Sequence, residues 1–452
     1  MASLFAVQPP TPSSILKTPG RNDFLKTNPT LHHFKKRSFS LNSVLSTQTD
    51  PNIPQTVQRF WQWLKDEGVV SSKTPVKPGI VPEGLGLVAT RNIGRNEVVL
   101  EVPKRFWINQ DAAAASEIGS ICSGLKPFIS VALFLLSEKF KGEESKWKYY
   151  IDVLPESTNS TIYWSEEELL EIQDQGHFPV FVIKILSLSP SPTWYSLEYL
   201  LLLSINHSAK VTTEDHAHEV RGPAGLFSWD YLFQLRSPLS LKAGEQVFIQ
   251  YDIKKSNADM ALDYGFIESN SDRDAFTLTL EISESDEFFA DKLDIAESNG
   301  FGETAYFDIK YGQPLPTAML PYLRLVALGG SDAFLLESIF RNSIWGFLEL
   351  PISRANEELI CKVVRSACKS ALSGYHTTIE EDEKLKEEGN LSPRLEIAVG
   401  IRIGEKKVLQ QIDDIFRERE SELDLLEYYQ ERRLKDLGLV GEQGEIIFWE
   451  PK

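Results

Sequence analysis

The sequence contains few cysteines and no long hydrophobic run, and each shortage excludes a class of protein. Its three cysteines are Cys122, Cys361 and Cys368. They form no CxxC pair and no even framework, so we expect neither structural disulfides nor a cysteine-bound metal ion. The apolar runs within residues 175–205 are too short to span a bilayer, and Pro190 and Pro192 separate them. We therefore expect no metal site and no membrane segment.

Basic residues are scarce after the first fifty positions. The formal net charge is −18, yet residues 1–49 carry six Lys or Arg and a single Asp, so the rest is more acidic still. An acidic body cannot neutralise phosphates, which argues against nucleic acid as a partner. Residues 1–50 are rich in Ser, Thr and Pro and lack the apolar core of a secretory signal, a composition typical of an organelle transit peptide. The alternative is a disordered N-terminal tail.

Hydrophobic periodicity predicts a β-rich body followed by a helical C-terminal part. The elements predicted in the body are a helix over 57–64 ending at Gly68, strands within 76–103 with Gly84 and Gly86 in a tight turn, helices over 111–150, and strands at 226–235, 246–251 and 276–282. The boundary between the two parts falls around residues 268–315. A chain of 452 residues is long enough for two or three domains.

Helix ends are predicted from capping residues. Ser165 precedes three glutamates, which is typical of an N-cap with an acidic first turn. A helix is predicted after Asn356 and ends at Gly374. The acid-rich stretch Glu380–Glu388 is interpreted as a loop, and a single long helix is expected to follow it and end near Gly438.

Two tyrosines are the candidate chemical groups. Tyr251 ends a short strand and Tyr264 precedes a glycine, both downstream of the pair Asn206-His207. Taken singly, each is more often a core or turn residue. Together they suit a narrow channel for a lysine amine, because desolvation lowers the amine's pKa and aromatic rings fix its angle of approach. A tyrosine hydroxyl can also accept hydrogen bonds from the amine or from a polarised methyl group.

Five motifs in a fixed order extend this interpretation. They are Glu83–Leu87, Ile93-Gly94 with Val98–Pro103, Asn206–Ser208, Gly244–Asp252 and Asp263–Phe266. This order resembles the SET-domain lysine methyltransferases, and in particular the plant plastid branch that includes Rubisco large-subunit methyltransferase. The likeness covers nearly all of residues 52–440, with residues 175–205 as the exception.

The resemblance implies an α+β protein: a β-rich SET-domain fold with a helical insert, followed by an all-α C-terminal substrate-binding lobe. The implied domains are a transit peptide at 1–50, a SET domain at 51–268 with its insert at about 111–205, a connecting region at 269–314, a helical substrate-binding domain at 315–440 and a tail at 441–452. The implied partner is a plastid protein, the Rubisco large subunit or fructose-bisphosphate aldolase. A monomer in the chloroplast stroma is expected.

The resemblance also implies S-adenosyl-L-methionine as the methyl donor for a protein lysine. The residues that match its cofactor contacts are Glu83, Gly84, Leu85, Asn206 and His207. Tyr251 matches the catalytic tyrosine and Tyr264 the wall of the lysine channel. His218 stands where the family commonly has a tyrosine that faces the substrate, so it is the third candidate contact to the substrate.

Residues 175–205 depart from the family. Leu203 occupies the position of a family acidic residue, and no arginine lies between Ile172 and Asn206. One interpretation is that altered splicing or an imperfect gene model produced this stretch; a variable loop is the other. The departure also leaves open a second function, a catalytically impaired SET-like module that binds protein.

Overall fold

A computed structural model describes residues 53–155, 157–172, 205–223, 229–269, 271–440 and 446. The contacts between residues divide these into two compact units. The first unit comprises residues 53–154 and 205–251, and the second comprises residues 155–172 and 252–446 with the gaps given above. The predicted transit peptide, the atypical stretch up to residue 204 and nearly all of the C-terminal tail lie outside the described residues.

The first unit contains seven strands within its described residues. They are β1 Val76–Val81, β2 Gly84–Ala89, β3 Val98–Pro103, β4 Asn206–His207, β5 Ala217–Pro223, β6 Trp229–Arg236 and β7 Phe248–Ile249. β1 and β2 form an antiparallel hairpin, β3, β6 and β5 form an antiparallel sheet in that order, and β4 pairs with β7 in parallel. Gly84 has a φ of 112°, which a glycine adopts without strain. Gly86 is not a turn residue as predicted, because it lies within β2 opposite Gly79.

Helices cover the strands of the first unit. They are α1 Gln55–Asp66, α2 Gln110–Ala114, α3 Gly119–Cys122, α4 Pro127–Lys141 and α5 Lys148–Ile151. The predicted helix around 57–64 is confirmed as α1, which buries Phe60, Trp61 and Leu64. These side chains join the apolar residues of β2, β3 and β6 in one core. That core supports the strand ends that carry the candidate residues.

The second unit combines a two-stranded ribbon with helices. Its elements are α6 Glu166–Leu170, α7 Asn257–Tyr264, β8 Ala275–Glu281, α8 Phe289–Ser298, β9 Thr304–Lys310, α9 Met319–Val326, α10 Ile344–Leu348, α11 Arg354–Ser373, α12 Ile379–Glu388, α13 Pro393–Ser421 and α14 Tyr429–Asp436. Alternate residues of β8 face a core that the helices complete. The elements described between residues 315 and 436 are all helices or 3₁₀ turns, so the predicted helical character of the C-terminal lobe is confirmed.

Two predictions of helix ends are confirmed. Ser165 forms a capping box with Glu168 at the start of α6, since each side chain bonds the other's backbone N–H. Gly374 follows the last residue of α11. That helix begins at Arg354 with Ser353 as its N-cap, slightly before the predicted start.

The stretch Glu380–Glu388 is a helix rather than the predicted loop. Thr378 and Glu381 form a capping box at its start, and acidic residues fill its first turn. Those charges are favourable there because the helix dipole is positive at its N-terminus. One of the first-turn acids, Asp382, is fully buried and accepts hydrogen bonds from Arg402 and Lys406.

The prediction of a single long final helix is also wrong. α13 ends at Ser421, a 3₁₀ turn covers Leu423–Leu425, and α14 follows. The chain turns because Tyr429 donates its backbone N–H to Ile352 at 3.0 Å and packs its ring against Phe347. The chain must change direction after α13 to bury the Tyr429 ring, and a continuous helix would not change direction there.

The cysteines of the chain are buried free thiols, with Cys361 and Cys368 on one face of α11. Within the described residues, no group of His, Cys, Asp and Glu could hold a metal ion. No single described helix has the length and apolar content needed to cross a membrane, although the sharply bent pair Met319–Val326 and Gly330–Leu336 passes that test jointly.

Candidate active site

The hairpin of β1 and β2 forms one wall of the candidate site. Glu83 is exposed in the turn of this hairpin. The space that a side chain at Gly84 would occupy is open. Asn206, at the start of β4, donates from its side-chain amide to the Leu85 carbonyl at 3.1 Å. This bond joins two motifs that lie 121 residues apart in sequence.

Residues 244–251 connect this hairpin to β4. Val247 donates its backbone N–H to the Leu87 carbonyl at 2.8 Å, and the next residue, Phe248, pairs with Asn206. Ser208 then donates to Ile249 at 3.1 Å. The structure therefore joins β2, β4 and β7. It places Tyr251 two residues beyond the end of β7, not at the end of the strand predicted over 246–251.

Tyr251 is held by two hydrogen bonds and a ring contact. Its hydroxyl donates to the Ile205 carbonyl at 2.8 Å, and its backbone N–H donates to Nδ1 of His207 at 3.2 Å. The rings of His207 and Tyr251 lie 5.3 Å apart. The hydroxyl thus donates its proton to a carbonyl, and a phenol oxygen also has lone pairs with which it can accept hydrogen bonds.

The protonation state of Tyr251 follows from its surroundings. Burial raises the pKa of its phenol to about 12. The hydroxyl is therefore neutral at physiological pH. It can accept a hydrogen bond from an amine, but it cannot serve as the base that removes the amine's proton.

Tyr264 belongs to the second unit, where it is the last residue of α7. The ammonium group of Lys255 lies over its ring, 4.9 Å from the centroid, and forms an ion pair with Asp263. A lysine beside a helix N-cap carries no signal of an aromatic partner nine residues later, so only the fold shows this contact.

His218 lies on β5, opposite Gln234 of β6. Its side chain is 33% exposed, and its Nε2 lies 3.4 Å from a carboxylate oxygen of Asp215. The structure thus places His218 in the three-stranded sheet, whereas Asn206, His207 and Tyr251 meet around the pairing of β4 with β7. His218 therefore lies apart from the strands around which Asn206, His207 and Tyr251 meet.

Comparison with known proteins supplies the class. Residues 283–409 match the family model described as Rubisco LSMT substrate-binding. The chain is 66% identical to the tobacco (Nicotiana tabacum) ribulose-1,5 bisphosphate carboxylase/oxygenase large subunit N-methyltransferase, chloroplastic, with 100% of both chains covered. That alignment spans 494 positions against 452 residues here, so the tobacco protein contains sequence that this chain lacks.

Two further likenesses agree. The chain is 60% identical to the Arabidopsis thaliana [fructose-bisphosphate aldolase]-lysine N-methyltransferase, chloroplastic, over 88% of this chain and 91% of that protein. It is also 60% identical to the LSMT SET domain crystallised with lysine and AdoHcy, with a TM-score of 0.78 over 87% of this chain and 98% of that one. The fold and these likenesses define a SET-domain protein-lysine N-methyltransferase. Within that class, the chain belongs to the Rubisco large-subunit methyltransferase family.

Proposed function

We propose that this protein transfers the methyl group of S-adenosyl-L-methionine to a lysine ε-amine of the Rubisco large subunit or of plastid fructose-bisphosphate aldolase. The observation that carries the proposal is the 66% identity to the tobacco enzyme over the whole chain. The relatives named for the two substrates are both close, so the sequence likeness favours neither substrate alone.

The residues around the β1–β2 hairpin fit such a cofactor. Gly84 has open space beside it, and the side-chain amide nitrogen of Gln246 is buried without a hydrogen-bond partner among the described residues. Glu83, Gly84 and Leu85 would hold the cofactor through the turn, and Asn206 with His207 would hold its adenine end. Once bound, the cofactor supplies an electrophilic methyl group on a sulfonium.

The chain's own residues would prepare the amine. A free lysine has a pKa of about 10.4, so the amine must lose its proton before it can attack. An aromatic channel favours the neutral amine because it removes water from the charged form. Tyr251 would orient the amine through its phenol oxygen, Tyr264 would line the channel, and His218 would contact the substrate protein.

The helical region 315–440 would dock the substrate protein. Its support is the match of residues 283–409 to the substrate-binding family model. We place the protein in the chloroplast stroma, as a monomer that binds neither nucleic acid nor membrane. The relatives' chloroplastic names support the chloroplast, and the acidic body of the chain argues against nucleic acid.

The test is incubation of the full chain with isotopically labelled S-adenosylmethionine and, separately, with purified Rubisco and purified plastid aldolase. Mass spectrometry of the labelled product then identifies the lysine and the number of methyl groups. Calorimetry with S-adenosylhomocysteine measures cofactor binding independently of transfer. The absence of label in both acceptors would overturn the proposed activity, and the absence of binding heat would overturn the cofactor assignment.

A further inference from the structure

We propose that Lys255 is a positioning residue of the methyl-transfer reaction, which sets the ring of Tyr264 through a buried cation–π contact. This inference deepens the proposed function and rests on it, because Tyr264 is assigned there to the lysine channel. Lys255 has no role in that assignment, and its contacts all lie within the second unit.

The N-terminal side of α7 is fixed by a buried arginine. Arg273 is 5% exposed and donates from one guanidinium nitrogen to the carbonyls of Asp252 and Lys255, at 2.5 and 2.8 Å. Its Nε forms an ion pair with Glu268 at 2.5 Å. The side-chain oxygen of Asn257 accepts a hydrogen bond from the backbone N–H of Glu268 at 2.9 Å. The segment that carries Lys255 therefore has little freedom to move.

The C-terminal side of α7 is fixed by close packing. Gly265 has a φ of 75°, and a Cβ on it would lie 2.4 Å from the backbone nitrogen of Ser160. The Ser160 hydroxyl donates to the Leu262 carbonyl at 2.5 Å. Tyr264 thus sits on a backbone held at both ends, and rotation of its side chain is the main freedom left to its ring.

The Lys255 ammonium restricts that rotation. Its side chain is 6% exposed, and the paired Asp263 carboxylate is 13% exposed, so the pair is shielded from solvent. A desolvated cation over a tyrosine face is attracted by the ring's quadrupole and so favours one orientation of the ring. The ion pair is neutral as a whole, so its principal effect on a neighbouring amine is steric placement rather than added charge. In-line methyl transfer depends on such placement.

The decisive variant is Lys255→Met combined with Asp263→Asn. Lys255→Met alone removes the ion-pair partner of the shielded Asp263 carboxylate, a change that destabilises the fold on its own. The double variant removes both charges and keeps the side-chain volumes close to the originals. We expect kcat for aldolase or Rubisco to fall about tenfold, which corresponds to ~1.4 kcal/mol, with an unchanged pH–rate profile. Lys255→Arg should restore activity to within about threefold of wild type, since guanidinium also stacks on aromatic rings.

Lys254→Met is the matched control, because Lys254 is adjacent in sequence and exposed. It should leave kcat unchanged. A double variant with the wild-type kcat would overturn the proposal. A pH–rate profile displaced by a full unit would also overturn it, because Lys255 would then act on the charge of the substrate amine and not on the ring.

A double-mutant cycle by urea unfolding tests the contact apart from turnover. In an Asp263→Asn background, Lys255→Met should destabilise the protein less once Tyr264→Leu is present. Equal destabilisation in both backgrounds would refute the contact. If the cycle shows coupling while wild-type protein transfers no methyl group, the proposed function fails and the role of Lys255 in it fails too, whereas the cation–π contact stands.

Discussion

Replacing Tyr251 with phenylalanine separates a chemical role from a structural one. The change removes only the hydroxyl, which donates to the Ile205 carbonyl at 2.8 Å. The ring and the bond from the Tyr251 backbone N–H to His207 remain. Loss of the hydroxyl bond should lower the free energy of unfolding by ~1–3 kcal/mol, because the carbonyl loses a buried donor.

The expected effect on catalysis is larger. A preorganised polar group at a reacting centre typically contributes a factor of about 100–1000 in kcat. We expect a loss of that size in Tyr251→Phe, while the dissociation constant of S-adenosylhomocysteine changes less than about threefold. The assay pairs steady-state methyl transfer with calorimetry on the same preparation. A further expectation is that wild-type kcat shows no titration from this phenol below pH 11, because the pKa of Tyr251 is raised to about 12.

Tyr322 provides a matched control in the core of the second unit. It is also buried, and its hydroxyl also donates to backbone carbonyls, those of Glu303 at 2.8 Å and Gly302 at 3.1 Å. Tyr322→Phe should cost similar stability and leave kcat intact. The assigned role of Tyr251 is refuted if its variant retains kcat within tenfold of wild type, or if the two variants lose kcat equally.

Three further predictions concern cofactor binding, pH and a buried ion cluster. Gly86→Ala should weaken the binding of S-adenosylhomocysteine about tenfold, as measured by calorimetry. The added Cβ would lie only 2.9 Å from the side-chain amide of Gln246 and 3.1 Å from that of Asn206. An unchanged affinity would contradict the role of this hairpin in cofactor binding. Burial raises the pKa of Glu405 to about 7, above its value of 4.5 when unfolded, so stability should fall by up to ~3 kcal/mol as pH rises from 5 to 8. In thermal melts, the stability of Glu405→Gln should not fall over this pH range. An equal fall in the variant and the wild type would show that Glu405 is not its cause. Asp382→Asn should lower the free energy of unfolding, measured with urea, by ~3–5 kcal/mol, because Arg402 and Lys406 lose their buried carboxylate. A decrease below about 1 kcal/mol would contradict this role of Asp382.

Local signals in the sequence predicted local structure well. The amphipathic pattern around Trp61 predicts α1, and the serine–glutamate spacing at Ser165 predicts the start of α6. The loop predicted at Glu380–Glu388 was wrong, because the prediction rested on the acidic composition of the stretch and not on the residues that cap a helix. Thr378 and Glu381 have the spacing of a capping box, so the signal was present. Asp382 was not predictable as a buried residue, because its partners lie 20 and 24 residues further along the chain.

The motif order points to Asn206 and Tyr251 as site residues, and that assignment stays a prediction. In the fold, Asn206 pairs with Phe248 of β7, and the Tyr251 hydroxyl donates to Ile205 beside Asn206. No sequence pattern reveals that a backbone carbonyl, that of Ile205, accepts the Tyr251 hydroxyl. The contact of Lys255 with Tyr264 is similar, because it depends on how the helix start and end are folded against their neighbours.

The departure of residues 175–205 from the family bears on whether the site can work. The chain lacks sequence that the tobacco enzyme has, yet the supports of Asn206 that the structure describes come from elsewhere. The Asn206 amide binds Leu85 in β2, and its backbone pairs with Phe248 in β7. Ile205 is 1% exposed and receives the Tyr251 hydroxyl. One of these supports, Ile205, is itself the last residue of the departing stretch. The identities of 66% and 60% to lysine N-methyltransferases favour the enzyme over an impaired binding module.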